Sequence, residues 1–279
     1  MLRGLSAGLL AVTLVALLGA FAIGFRDYLR RGPVVNPTPR VAHLATPPPA
    51  TPTPSSPPSP TAAPTPAPTP TPLPASTLIA NVPYTVQAPN NQWDAAHQEY
   101  CEAAAVVMVG LYYQGVSFPG NVIPADTANA DMATVVAWER QTWPGQLNLS
   151  LQQVGQDGQH FYGVTASVVP LDLNAIQRYL ANGQPVIIPV MTHGGPGNTM
   201  INPHYGTDNV YHVIVLVGYD AAQGLVYTND AGISQGHDLA YAWSTLQTAV
   251  QSMTVTPTDQ SGAPVPTSQG MSMLVFARG

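Results

Sequence analysis

From Gly32 to about Ser76 the chain is a Thr-Pro, Ala-Pro and Ser-Pro tract, typified by Thr65-Pro66-Ala67-Pro68-Thr69-Pro70-Thr71-Pro72. Proline removes backbone donors and fixes φ, and almost no apolar bulk is present, so this stretch cannot form a core and is expected to stay solvated and extended. At about 3.1 Å per residue it would reach on the order of 130 Å at full stretch, enough to hold a domain away from a surface. The tract therefore divides the chain into an N-terminal segment (residues 1–31), a Pro/Thr/Ala-rich linker (32–76) and a foldable part (77–279), whose roughly two hundred residues suffice for one substantial core.

The N-terminal segment carries no charge from Gly4 to Phe25 and is long enough to cross a bilayer as a helix. Ala20-Phe21-Ala22 resembles a signal-peptidase site, whereas the length of the run and Arg26, Arg30 and Arg31 suit an uncleaved anchor. Those arginines, set against Arg3, would favour a cytoplasmic C-terminus. The stalk-like linker argues the other way, and the expectation is a single-pass anchor with the C-terminal domain outside the cell, or a secreted domain if the segment is cleaved.

Charged residues make up 8% of the chain and the net charge is −6, and part of the small basic complement lies around the apolar segment. No basic patch remains for nucleic acid. There is one cysteine, so no cysteine pair for a metal or an intramolecular disulfide, and no His-x-x-x-His. His193 and His204 stand in a Gly/Asn/Pro-rich loop that reads as solvated. No metal and no cofactor are expected.

Within 77–279, Leu78 to Gln87 reads as an extended entry segment, followed by a loop carrying Trp93. Apolar residues at helical spacing predict a helix from Cys101 to about Tyr113, a second from about Asp126 to Gln141, and a third from the N-cap Asp172 to Asn182-Gly183. Strands are expected at 185–191, 212–219, 225–229 and 272–277. Helices first and an antiparallel sheet afterward make an α+β domain.

The lone Cys101 is either inert core or present for its sulfur chemistry. A thiol in the first turn of a helix feels the positive end of the macrodipole, and a nearby imidazolium would lower its pKa further. The runs 212–219 and 224–230, joined by Asp220-Ala221-Ala222-Gln223, should form a hairpin. If Tyr219 faces Leu225, then 217 pairs with 227 and Asp230 lies opposite Ile214, on the face that His212 shares. A slip of one residue would put Asn229 there instead, and either could orient an imidazole. Asp220, eight residues along the strand at about 3.3 Å each, is roughly 26 Å from His212 and is not the partner. Cys101 would be nucleophile and His212 general acid/base. The Cys101 N–H and the Gln87 side-chain amide would be donors to an oxyanion. Glu102 would repel a thiolate if it faced inward and is expected instead to be a solvated residue of the first turn.

Val82-Pro83-Tyr84-Thr85-Val86-Gln87-Ala88-Pro89, Trp93, Cys101-Glu102-Ala103-Ala104-Ala105, Leu180-Ala181-Asn182-Gly183-Gln184-Pro185-Val186-Ile187, the His212–Asp220 run and Asn229-Asp230 resemble papain-like cysteine peptidases. They are most similar to the double-glycine leader (bacteriocin-processing) peptidases and their stand-alone relatives. The resemblance covers nearly all of 77–279. It implies Gln87 for the oxyanion hole, Cys101 as nucleophile, His212 as base, Asp230 as orienting acid, and nucleophile-bearing helices packed on an antiparallel sheet. The leader peptidases usually place Gly after the cysteine and sit on ABC transporters. This chain has Glu102 there, no transporter core and no phosphate loop, so cleavage after Gly-Gly is not carried over. The expected function is a membrane-tethered extracellular cysteine peptidase or amide hydrolase working through a thioester on a peptide or cell-wall amide. The alternatives are an inactive peptide- or wall-binding module, and an acyltransferase using the same thioester.

Overall fold

The computed structural model describes residues 72–194 and 199–279. The apolar segment and nearly all of the Pro-rich linker lie outside them, and among the described residues no helix is long and apolar enough to cross a membrane. The order of the main elements is β1 (Ser76–Leu78), α1 (Cys101–Tyr113), α2 (Ala125–Thr142), α3 (Leu151–Tyr162), β2 (Val164–Pro170), α4 (Leu173–Ala181), β3 (Val186–Met191), β4 (His193–Gly194), β5 (Thr199–Met200), β6 (Tyr211–Asp220), β7 (Leu225–Asn229), β8 (Leu239–Ala242), α5 (Trp243–Val255) and β9 (Ser272–Arg278). Seven strands form one antiparallel sheet in the order β2-β9-β3-β6-β7-β8, with β1 added against β6.

The central strands β3 and β6 are buried on both faces, which is why they read as unbroken apolar runs. Alternation sorts their side chains. Val213, Val215 and Val217 pack with residues of α1, α2 and α3, while Ile214 and Leu216 pack with Ile176 and Leu180 of α4 and Leu246 and Val250 of α5. The sheet is thus sandwiched between two helical layers. Helix α1 is the most enclosed, every residue from Cys101 to Leu111 being buried, as expected of a helix apolar on all sides.

The α+β class and the three expected helices stand, but the order of helices before strands does not. Strand β2 falls between α3 and α4, and α5 follows β8. Helix α3 escapes propensity reasoning because Gly155 and Gly158 sit inside it, each costing roughly 0.5–1 kcal/mol relative to alanine. The structure supplies the reason at Gly158, where a Cβ would lie 2.5 Å from Phe276 of β9, so the absence of a side chain lets the helix settle on the sheet. Its local signal is a capping box: Ser150 accepts from Gln153 N–H, and Gln153 Oε1 accepts from Ser150 N–H. Asp172 caps α4 by accepting from Ala175 N–H at 2.7 Å.

Near its turn the β6–β7 hairpin pairs Asp220 with Leu225, Tyr219 with Val226 and Gly218 with Tyr227, one residue off the expected register. A bulge at Val217 then restores it, and Leu216 pairs with Thr228 and Val215 with Asn229. Gly218 sits beside the bulge where β1 crosses, and a Cβ there would meet Thr77 O at 2.4 Å. β7 ends at Asn229, leaving residues 211–214 of β6 with one edge free of strand pairing.

Candidate active site

Cys101 occupies that free edge. It opens α1, is 4% exposed, and has the Val213 N–H near enough to favour its thiolate. The N-cap Tyr100 offers no side-chain acceptor, so the first turn of α1 lacks a side-chain cap.

Beside it, His212 Nε2 lies 2.8 Å from Asp230 Oδ1, with both side chains buried. A carboxylate is an acceptor only, so Nε2 carries the proton and Nδ1 is the ring nitrogen left for chemistry. Asp230 is held from several sides. Its Oδ1 also accepts from Tyr205 OH at 2.7 Å and Gly232 N–H at 3.0 Å, and its Oδ2 from Tyr241 OH at 2.7 Å. Burial alone would raise the Asp230 pKa, but the His212 charge and the bonds from His212, Tyr241 and Tyr205 outweigh it and hold the carboxyl below its usual range.

The neighbouring Asn229 does other work. Its Nδ2 donates to Val82 O at 3.3 Å and Pro83 O at 3.4 Å, and its Oδ1 accepts from Asp238 N–H, so it ties the entry segment to the sheet.

Gln87 lies in the same region, 5% exposed. Its Nε2 donates to His97 O at 2.9 Å and Gln98 O at 3.0 Å, while Oε1 is buried with no partner. Both amide protons are therefore spent on the turn leading into α1, and serving an oxyanion would require giving one of them up.

A cleft of about 570 Å³ opens over these residues, lined among others by Gln87, Trp93, Glu99, Tyr205, Tyr211 and His212. His204, Tyr205, Asp208 and Val210 from the loop before β6 form part of its wall. Cys101 is buried and is not among its lining residues.

Glu102 departs from expectation. It is 3% exposed instead of solvated, and its Oε2 accepts the Cys101 thiol at 2.9 Å while Oε1 accepts Leu149 N–H at 2.9 Å. The signal was in the sequence, since a helix apolar on every face leaves its second residue no polar side to occupy. The thiol is correspondingly not acidified. Burial, then the charge and hydrogen bond of Glu102, push its pKa well above the ordinary value, against the opposing Val213 N–H. A helix terminus is worth about 0.3–1 kcal/mol toward an anion, too little to offset a buried carboxylate at contact. Tyr205 and Tyr241 are two further site residues that spacing did not reveal, because they reach Asp230 from the preceding loop and from β8.

Deeper still, Glu139 of α2 and Asp157 of α3 are both buried and close enough for each to shift the other's titration. Glu139 Oε1 and both Asp157 oxygens are buried without a hydrogen-bond partner, an arrangement that disfavours their charged forms. Burial is the first cause that raises both pKa values; the Glu102 charge adds to it at Glu139, against Asp157 and Arg140, and the charges of Glu139 and Glu102 add to it at Asp157.

A model of the Peptidase_C39 like family matches residues 79–254. No curated protein matches the chain. Among solved structures, a crystal structure from Bacillus anthracis described as a candidate C39-like peptidase aligns over 73% of this chain and 98% of its own length, with 15% identity and a TM-score of 0.46.

Proposed function

We propose that this chain, which belongs to the Peptidase_C39-like family of the papain-like cysteine peptidase superfamily, hydrolyses peptide or related amide bonds with Cys101 as nucleophile, His212 as general acid/base and Asp230 as its orienting carboxylate. The observation that carries this reading is the 2.8 Å bond between His212 Nε2 and Asp230 Oδ1, with His212 next in sequence to Val213, whose N–H opposes the rise of the Cys101 pKa.

In this mechanism His212 takes the thiol proton as sulfur adds to the substrate carbonyl. The oxyanion is met by the Cys101 N–H and by the Gln87 amide once one of its protons leaves the His97 or Gln98 carbonyl. His212 then returns the proton to the departing amine. Water, deprotonated by the same ring, releases the acid from the thioester. Capture of the thioester by an amine instead of water would make the same site an acyltransferase. The apolar segment and the Pro-rich linker support a domain held outside the cell at the end of a stalk.

A second reading, a peptide-binding module without turnover, draws its support from the un-acidified thiol and the engaged Gln87 amide. An internally quenched peptide library separates the two. Cleavage by the full chain that is lost in Cys101→Ala supports the peptidase, while binding without cleavage supports the module.

A further inference from the structure

The contact between Cys101 and Glu102 has no place in the mechanism above. A buried carboxylate accepts the thiol proton at 2.9 Å, and the same carboxylate is fixed at its other oxygen by Leu149 N–H. Among the described residues it has no arginine or histidine partner within ion-pair distance. The charged and titratable groups around it are Cys101 and Glu99 at the start of α1, Glu139 of α2 with Arg140 beside it, Asp157 of α3 and Tyr211 of β6. Nearly all of these are acidic, and burial raises the Glu102 carboxyl itself above its ordinary range, opposed by the bonds it accepts from the Cys101 thiol and Leu149 N–H.

We propose that Glu102 is a positioning residue that keeps Cys101 as a protonated, latent thiol, and that neutralising its carboxylate releases the sulfur to His212. The inference rests on Cys101 being the nucleophile. With Glu102 ionised, moving the thiol proton to His212 leaves a thiolate and a carboxylate in contact inside the protein, an arrangement that like-charge repulsion in a poorly solvated site opposes. With Glu102 protonated or replaced by an amide, the same transfer leaves one anion, and the group facing sulfur becomes a donor to it. The thiol's burial fits the same picture, since the resting sulfur donates to Glu102 and is screened from solvent.

The test uses the full chain, in which Cys101 is the only thiol. Iodoacetamide alkylation is followed against pH for the unsubstituted chain, Glu102→Gln and Glu102→Asp. Gln preserves shape and the Leu149 acceptor while removing the charge. It is expected to lower the apparent thiol pKa by about one or more and to speed alkylation at pH 7 by roughly tenfold. Asp, which keeps the charge, is expected to retain the slow profile. An unchanged or slower Gln variant overturns the proposal. Should Gln fail to fold, the infrared S–H stretch of the unsubstituted chain decides. A band shifted by strong donation and persisting at pH 7 supports the latch, and its absence at pH 7 overturns it.

Neither readout depends on turnover. A thiolate at neutral pH in the unsubstituted chain would remove the latch and leave the peptidase reading intact. A reactive Glu102→Gln thiol that never acquires an acyl group would leave the latch and remove the peptidase.

Discussion

Asp230 Oδ1 accepts from His212 Nε2 at 2.8 Å while Asn229, one residue earlier, turns away to hold the backbone carbonyls of Val82 and Pro83. The two side chains, equivalent as candidates in the sequence, are therefore expected to fail in different ways when changed.

Asp230→Asn keeps an oxygen for the imidazole but loses the carboxylate that fixes the ring's tautomer and orientation. Turnover of a peptide substrate is expected to fall by about 10⁴-fold, with the melting temperature changing far less than activity. Steady-state cleavage alongside calorimetry checks both.

Asn229→Ala leaves the His212–Asp230 bond in place but strips partners from Val82 O, Pro83 O and Asp238 N–H. Orphaned buried groups cost about 1–3 kcal/mol each, so the expected result is lower stability by about that amount with catalysis retained in the folded fraction. Urea denaturation with activity normalised to folded protein distinguishes this from a catalytic loss.

Gly158→Ala would ordinarily stabilise a helix interior by about 1 kcal/mol. Here the new methyl would lie 2.5 Å from Phe276, and overpacking of about 1–3 kcal/mol should win. A melting temperature that rises instead would mean that β9 yields more readily than its central packing suggests.

The Glu139–Asp157 pair makes stability pH-dependent. Both groups have raised pKa values in the folded state, so their contribution is full below the unfolded carboxylate range near pH 4 and is lost as pH rises. A tenfold difference in proton affinity between the folded and unfolded chain corresponds to about 1.4 kcal/mol, or roughly 3–6 °C for a domain of this size. Calorimetry from pH 5 to pH 9 is expected to show a falling melting temperature, with the slope reduced in Glu139→Gln. Asp230 has the opposite sign, its contribution being lost only as pH drops below the ordinary carboxylate value.

Much of this architecture was legible. Helix α1 begins at Cys101, and the strands carrying His212 and Asn229 fall where apolar runs place them, because buried helices and two-sided strands leave strong patterns. The hairpin register was read one residue wrong near the turn, yet Asp230 still arrives on His212, because a bulge at Val217 inserts the compensating residue. Nothing in the local sequence announces that bulge, which lies next to Gly218, where β1 pairs with β6. Helices α3 and α5 were missed for different reasons. The first trades propensity for close approach, and the second has Leu246, Ala249, Val250 and Met253 at helical spacing within a Ser/Thr-rich stretch. The direction of Glu102 followed from burial of the whole of α1 and could have been inferred from the absence of a polar face.

The most direct test of Cys101 as the nucleophile served by His212 is acid-quenched intact-mass analysis of the full chain mixed with acetyl-peptide p-nitrophenyl esters. The expected result is a single acyl group on Cys101, a p-nitrophenol burst matching the protein concentration, and acylation slowed by at least about 100-fold in His212→Ala. No acyl group on Cys101, or acylation equally fast without His212, would contradict that assignment.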